Sequence, residues 1–331
     1  VRAWLGLALC LALPAGATEV RGMTVSCPTW GWEWGTDEMA STLTVLDTLG
    51  VNWVSIHPYA RIGADGTVRF EPIDPQSPPA WLERPVREAH ARGQKVLVKP
   101  HLAYWGSPFS WRGDIRFDDP ADQARFFASY TAWVTQLAAA TADADAFAVG
   151  TELDGTTAHE AQWRSVIGSV RGVFDGHLTY AANWDAFDEV PFWDAVDAIG
   201  VQAYFPLVEP GQDPTPAALD AGWDRWLVRL KAVHDEHGKA VVFTELGYDS
   251  AVTAATEPWK PGRGAGDPAL QEAALDAALR AIDREPAVVG AFLWKWFPGE
   301  VPRGDFRLSE PRLRERIAAR WAPPRSSGVS P

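Results

Sequence analysis

Two carboxylates in this chain stand where a carboxylate is costly. Glu152 closes the run Ala-Phe-Ala-Val-Gly-Thr-Glu, and Glu245 closes Ala-Val-Val-Phe-Thr-Glu. An acid placed directly after an apolar run that a fold would bury loses its hydration, so it must be paired or used. Two such acids facing one another suit glycosidic bond cleavage with retention, which needs two carboxyl groups roughly 5–5.5 Å apart, one as acid/base and one as nucleophile. The structural alternative is that each is an ion-pair partner for Lys99 or Arg61.

The remaining apolar runs end in polar or aromatic groups as well. His57 closes Val51–His57, with Tyr59 and Arg61 beyond it, and Lys99 and His101 close Lys95–His101. Asn183 closes Leu178–Asn183 and is followed by Trp184; Gln202 and Tyr204 close Ala198–Tyr204; Trp294 and Trp296 close Val289–Trp296. Of the 18 Trp, which outnumber both the 6 Tyr and the 14 Phe, half fall at these ends or on the loops above them, including Trp30, Trp32, Trp34, Trp105, Trp111 and Trp259. Exposed indole rings suit the faces of sugar rings. The candidate substrate-binding residues are therefore Trp30, Trp32, His57, Lys99, His101, Asn183, Tyr204, Trp259, Trp294 and Trp296. Competing chemistries lack their signatures. No H-E-x-x-H or first-strand H-x-H suggests zinc, no G-x-S-x-G suggests a serine nucleophile, and no metal or cofactor is expected.

These ends need a scaffold that gathers them. Eight apolar runs (with Gly22–Ser26, Ala146–Glu152 and Ala240–Glu245 completing the set) alternate with helical patterns. The latter cover Thr36–Leu49, Ala80–Arg92, Pro120 to about Ala140, Ala158–Val173, Ala217–His237 and Pro268–Arg284. Most runs are apolar throughout, as strands of a parallel sheet covered on both faces must be. Asp188–Ala195 leaves room for a short helix only. The pattern predicts an α/β fold, one (β/α)₈ TIM barrel over residues 18–321, whose strand ends converge on the face that carries barrel active sites. A doubly wound sheet is the alternative, but no G-x-G-x-x-G or phosphate-binding loop follows the first run.

Composition narrows the partners. With 43 acidic and 30 basic side chains the net charge is −13, which disfavours nucleic acid and anionic membranes and leaves carbohydrate as the better partner. Arg2, the apolar run Ala3–Leu13 and Pro14-Ala15-Gly16-Ala17 read as a signal peptide cleaved near Ala17, with export to the periplasm or medium. No run is long enough to span a membrane. Removal of the leader would leave Cys27 as the sole thiol. Residues 322–331, rich in Pro and Ser, read as a disordered tail.

The chain also resembles a known family. The segments Gly22-Met-Thr-Val with Trp30-Gly-Trp, Val98-Lys-Pro-His101, Val149-Gly-Thr-Glu-Leu153 and Leu178-Thr-Tyr-Ala-Ala-Asn-Trp184 are similar to those of glycoside hydrolase family 113, whose characterised members are β-mannanases. Pro191-Phe-Trp-Asp, Gly200-Val-Gln-Ala-Tyr-Phe-Pro206, Phe243-Thr-Glu-Leu-Gly-Tyr248 and Phe292-Leu-Trp-Lys-Trp296 complete the resemblance, which spans about residues 22 to 300. It implies a retaining barrel glycosidase, endo-β-1,4-mannanase-like, with Glu152 as acid/base and Glu245 as nucleophile. It further implies that Tyr204 orients Glu245 and that Trp294 or Trp296 forms the floor under the sugar. Many relatives in the wider clan carry Asn just before the acid/base; here Thr151 stands there, and Asn183 is the candidate for the sugar 2-hydroxyl. A hydrolase of a bacterial exopolysaccharide and a barrel that binds carbohydrate without cleaving it are the alternatives.

Overall fold

The computed structural model describes residues 18–262, 266–301 and 305–323. The leader expected over residues 1–17 and most of the expected tail lie outside them. Eight parallel strands close a barrel: β1 Val20–Val25, β2 Trp53–Ile56, β3 Lys95–Val98, β4 Ala146–Thr151, β5 His177–Asn183, β6 Ala198–Gln202, β7 Val241–Leu246 and β8 Val288–Trp296. Each pairs with its neighbours in sequence, and β1 closes the ring by pairing with both β2 and β8. Every residue of β7 is buried, and β4 and β5 are exposed only at their first residues, which is why these runs read as continuous apolar stretches.

Helices α1 Asp37–Thr48, α2 Ala80–His90, α3 Pro120–Ala140, α4 Glu160–Arg171, α5 Pro216–His237, α6 Pro268–Arg284 and α7 Pro311–Trp321 are the long helices among the described residues. The Asp119, Thr215 and Asp267 side chains cap α3, α5 and α6, each followed by a proline whose missing N–H leaves nothing unsatisfied in a first turn. Between β5 and β6 the chain makes two short 3₁₀ turns, Phe187–Glu189 and Trp193–Ala195, as the length of that segment requires.

Three features depart from expectation. The third apolar run does not continue to His101. It stops at Val98, because Pro100 has no N–H for a ladder, and the His101 N–H donates instead to the Pro58 carbonyl at 2.8 Å. His101–Ala103 then joins Tyr59–Ile62 and Val68–Arg69 in a small side sheet beyond the ends of β2 and β3. Second, α7 was hidden by its charge, although Leu313, Ile317 and Trp321 recur at helical spacing and are buried. Its end packs on Gly50 (φ 82°), where a Cβ would lie 2.0 Å from the Trp321 carbonyl oxygen. Third, Trp34 is a core residue and not an exposed ring: it is fully buried and its Nε1 donates to the Val25 carbonyl at 2.9 Å.

Candidate active site

Glu245 sits near the end of β7, directly opposite Gln202 of β6 in register. Its carboxylate is held from several sides. The Lys99 ammonium, rising from the end of β3 and itself fully buried, bonds Oε1. His101 Nε2 lies 3.4 Å from the same oxygen, and the Tyr204 hydroxyl donates to Oε2 at 2.7 Å. Burial alone would raise the Glu245 carboxyl, but the Lys99 charge and the nearby His101 hold it well below the usual carboxylate range. The same burial pulls Lys99 down from its ordinary value, with the Glu245 charge opposing it.

Glu152 follows β4 and its N–H still donates to the Ala181 carbonyl of β5 at 2.9 Å. The backbone then turns into the left-handed region (φ 52°), which L-residues other than Asn and Asp visit rarely. This turn directs the chain into a short helix, Asp154–Thr157, before α4. Oε1 faces the Gln202 amide nitrogen at 3.5 Å, and Oε2 faces Arg112 Nη1 at 3.7 Å. Burial raises the Glu152 carboxyl; Arg112 opposes the shift and the Glu245 charge adds to it. Gln202 stands between the two acids. Its oxygen accepts from Thr244 Oγ1 at 2.9 Å and lies 3.5 Å from Lys99 Nζ, so the orientation of its amide is fixed. One carboxyl is thus kept ionised and its neighbour pushed toward the protonated form, the pairing that acid/base and nucleophile chemistry requires.

The sequence candidates divide by depth. Lys99, His101 and His57 do not line an open wall: all three are buried, and Lys99 and His101 lie against Glu245. The His57 ring stacks on His101 (centroids 4.8 Å apart) and meets Trp294, with neither nitrogen hydrogen-bonded, and burial lowers it to about 3, so it packs as a neutral ring. Trp294 is half-buried over this group, with Lys99 Nζ 5.3 Å from its ring centroid. Trp296 is not part of the floor. It is buried toward the helices, with the Arg314 guanidinium over it and Asp37, Glu38 and Thr42 of α1 lining the same small cavity. A bulge between β1 and β8 at Thr24/Val25 separates the two tryptophans, which strict alternation would have put on one face.

Asn183 lies beside the Glu152 turn, donating to Asp185 Oδ1 at 2.7 Å. Asp154 is close by; burial and the charges of Glu152 and Asp185 push its carboxyl up to about 7. Trp259 stacks on Trp184 (5.1 Å, 15°) and keeps about two-fifths of its surface exposed. Across the mouth, Trp30 meets Tyr59 and Trp105 edge-on with the Arg61 guanidinium 4.2 Å from its centroid, and Trp32 is open to solvent. Sequence reasoning did not give Arg112 or Asp154 any role, and it listed Gln202 only as a strand end.

Comparison with known proteins decides the family. The profile of Glycoside Hydrolase Family 113 matches residues 23–304, most of the chain and the whole of β2 through β8. The chain belongs to glycoside hydrolase family 113. A solved family 113 β-mannanase from Alicyclobacillus acidocaldarius is 27% identical, with a TM-score of 0.80 over 92% of this chain and 97% of that one. A second family 113 structure, a β-1,4-mannanase complex, is 23% identical with a TM-score of 0.80, covering 92% and 99%. A Ruminococcus gnavus β-glucuronidase shares the barrel alone, at 14% identity and a TM-score of 0.61 over half of its length. None of the curated proteins compared with the chain matches it. As a family 113 member the chain is a glycoside hydrolase on a (β/α)₈ barrel, and a carbohydrate is its substrate. Among the described residues no helix is long and apolar enough to cross a membrane.

Proposed function

We propose that this glycoside hydrolase cleaves a β-1,4-mannan-type polymer or oligosaccharide internally, with retention of configuration. The observation that carries the reading is the Glu152/Glu245 pair: a nearly buried and a buried carboxyl, with Gln202 against the first and Lys99 on the second, shifted in opposite directions. Glu152 gives its proton to the leaving glycosidic oxygen while Glu245 attacks the anomeric carbon and forms a glycosyl-enzyme. Glu152 then takes a proton from water, which displaces Glu245. Lys99 and Tyr204 keep Glu245 ionised and aimed, and the Trp294 ring lies over Lys99 as a floor for the sugar. The mannanase reading is supported by the solved family 113 neighbours. A panel of β-mannan, β-glucan, xylan and bacterial exopolysaccharides, with the anomer of the first product followed by NMR, tests it. An α-anomer first, or cleavage of none of the β-mannans, would count against it.

The pH profile follows from the same pair. Activity requires Glu245 ionised, and its carboxyl lies well below the usual range, so the acid limb falls below pH 4.5. It also requires Glu152 protonated, and its carboxyl is raised, so the alkaline limb lies above pH 4.5. A bell-shaped kcat/KM profile is expected. A single limb, or an alkaline limb below 4.5, would contradict the assignment.

We further propose that residues 1–17 are an export leader cleaved near Ala17, on the strength of the apolar run and the small residues that follow it. N-terminal sequencing of the exported protein should start at Thr18 or nearby; an intact leader on it would refute this.

A further inference from the structure

The small side sheet beyond β2 and β3 has two unlike faces. Ala60, Ile62, Val68 and Leu102 share one of them and are buried. Alternation puts Tyr59 and Arg61 on the other, and Arg69 joins them because it stands opposite Arg61 in the antiparallel pair. His101 lies beside Tyr59 in register and shares the same face. One continuous face therefore starts at His101, whose Nε2 is 3.4 Å from Glu245 Oε1, and runs outward through Tyr59 to the two arginines.

That face borders a cavity of about 810 Å³, within the range of small-molecule sites, roughly 300–1,000 Å³. Trp81 of α2 and the buried Trp133 and Leu137 of α3 line its inner side. The segment that leads from the sheet toward α2 is tied to α3. Val68 N–H donates to Ser129 Oγ at 2.9 Å, and Ile73 N–H donates to Gln136 Oε1 at 2.7 Å. Both walls are thus fixed to the scaffold.

The rim carries indole rings and a held cation. Trp30 and Trp32 line the cavity, and Trp105 packs edge-on to Trp30. Trp32 and Trp105 each expose more than half of their surface. Large exposed rings grouped at one edge mark a surface that binds something. The Arg61 guanidinium lies 4.2 Å from the Trp30 centroid, where the electron-rich ring face holds it. Among the described residues it pairs with no carboxylate. Charges in the lining balance, Arg61 and Arg69 against Glu71 and Asp74. Donors and acceptors without net charge around aromatic rings fit neutral hydroxyls better than carboxylates or phosphates.

Continuity with the nucleophile selects the occupant. The His101 and Tyr59 rings are 5.8 Å apart, and those of Tyr59 and Trp30 are 5.7 Å apart, so the path from Glu245 to the cavity has no break. Resting on the glycosidase reading above, we infer that this cavity is a further sugar-binding subsite, which holds neutral hexose units of the chain being cut. Trp32 supplies an apolar face for a ring, and the Arg61 fork donates to adjacent hydroxyls.

The test compares mannohexaose, a chain able to run past Tyr59, with dinitrophenyl β-mannoside, a single sugar at the cleavage point. For W32A and for R61Q the ratio of kcat/KM values, hexaose over aryl mannoside, should fall roughly two- to tenfold. Both side chains are exposed, so each variant should keep the circular dichroism of the parent chain. W32F retains a ring and should recover most of the ratio. An unchanged ratio in W32A and R61Q, or an equal loss on both substrates, would overturn the subsite and leave the glycosidase reading intact. A parent chain that cleaves neither substrate would overturn both.

Discussion

Glu245→Gln should lower turnover of an activated aryl β-mannoside by roughly 10⁴–10⁶-fold, the range seen when a nucleophile is removed from a preorganised site. The amide is nearly isosteric but cannot form a stable glycosyl ester, so no retained intermediate accumulates. The substitution also acts on the fold. Lys99 is fully buried and Glu245 is, among the described residues, its only charged partner within salt-bridge distance, and stripping the partner from a buried pair typically costs about 3–5 kcal/mol. Lys99 has a way to soften this loss, because burial already pulls its ammonium toward deprotonation. The variant should therefore melt at a lower temperature yet retain the circular dichroism of the parent chain. Stopped-flow detection of aryl release is the decisive measurement. Turnover within tenfold of the parent enzyme would remove Glu245 from the role of nucleophile.

Glu152→Ala should separate substrates by how much their leaving group needs a proton. Hydrolysis of mannan should drop by roughly 10²–10⁴-fold, the usual contribution of a positioned acid/base. A dinitrophenolate departs unassisted, so its first release should stay rapid while the glycosyl-enzyme on Glu245 awaits a base to activate water. Azide needs no base. It should attack the anomeric carbon in place of water, break the ester to Glu245 and yield a β-glycosyl azide, restoring turnover of the aryl substrate with a product that NMR identifies. Azide without effect, or mannan hydrolysis unchanged in this variant, would show that Glu152 is not the acid/base. Together the two variants assign each carboxyl by a different observable.

Much of this site was legible because desolvation leaves a mark on sequence. A carboxylate after Ala-Phe-Ala-Val-Gly-Thr has few structural excuses, and the barrel was legible because parallel strands covered on both faces read as uninterrupted apolar runs. Tyr204 was placed beside Glu245 by resemblance, and the 2.7 Å contact agrees. What escaped was set by geometry that leaves no periodic trace. Arg112 lies in an irregular loop among aromatic residues, where a lone arginine reads like any solvated one. Its nearness to Glu152 depends on a turn packing against Gly155. The exchange of His101 from the barrel to the side sheet had a signal in Pro100, which the apolar run around it masked. Trp296 was assigned to the site as a strand-end ring and, by resemblance, as an alternative to Trp294 for the floor; the register shift beside Thr24, which leaves no mark in the sequence, separates the two rings.

The left-handed backbone at Glu152 sets function against stability at a single position. An L-residue there costs about 1–2 kcal/mol that glycine would largely avoid, and the side chain adds a carboxyl whose ionised form burial and the Glu245 charge disfavour. A lineage screened only for thermal robustness would be drawn to replace this residue, and the most natural replacement would be an inactive one. Thermostabilisation of this barrel must therefore proceed under continuous selection for turnover, because heat resistance alone rewards loss of its acid/base.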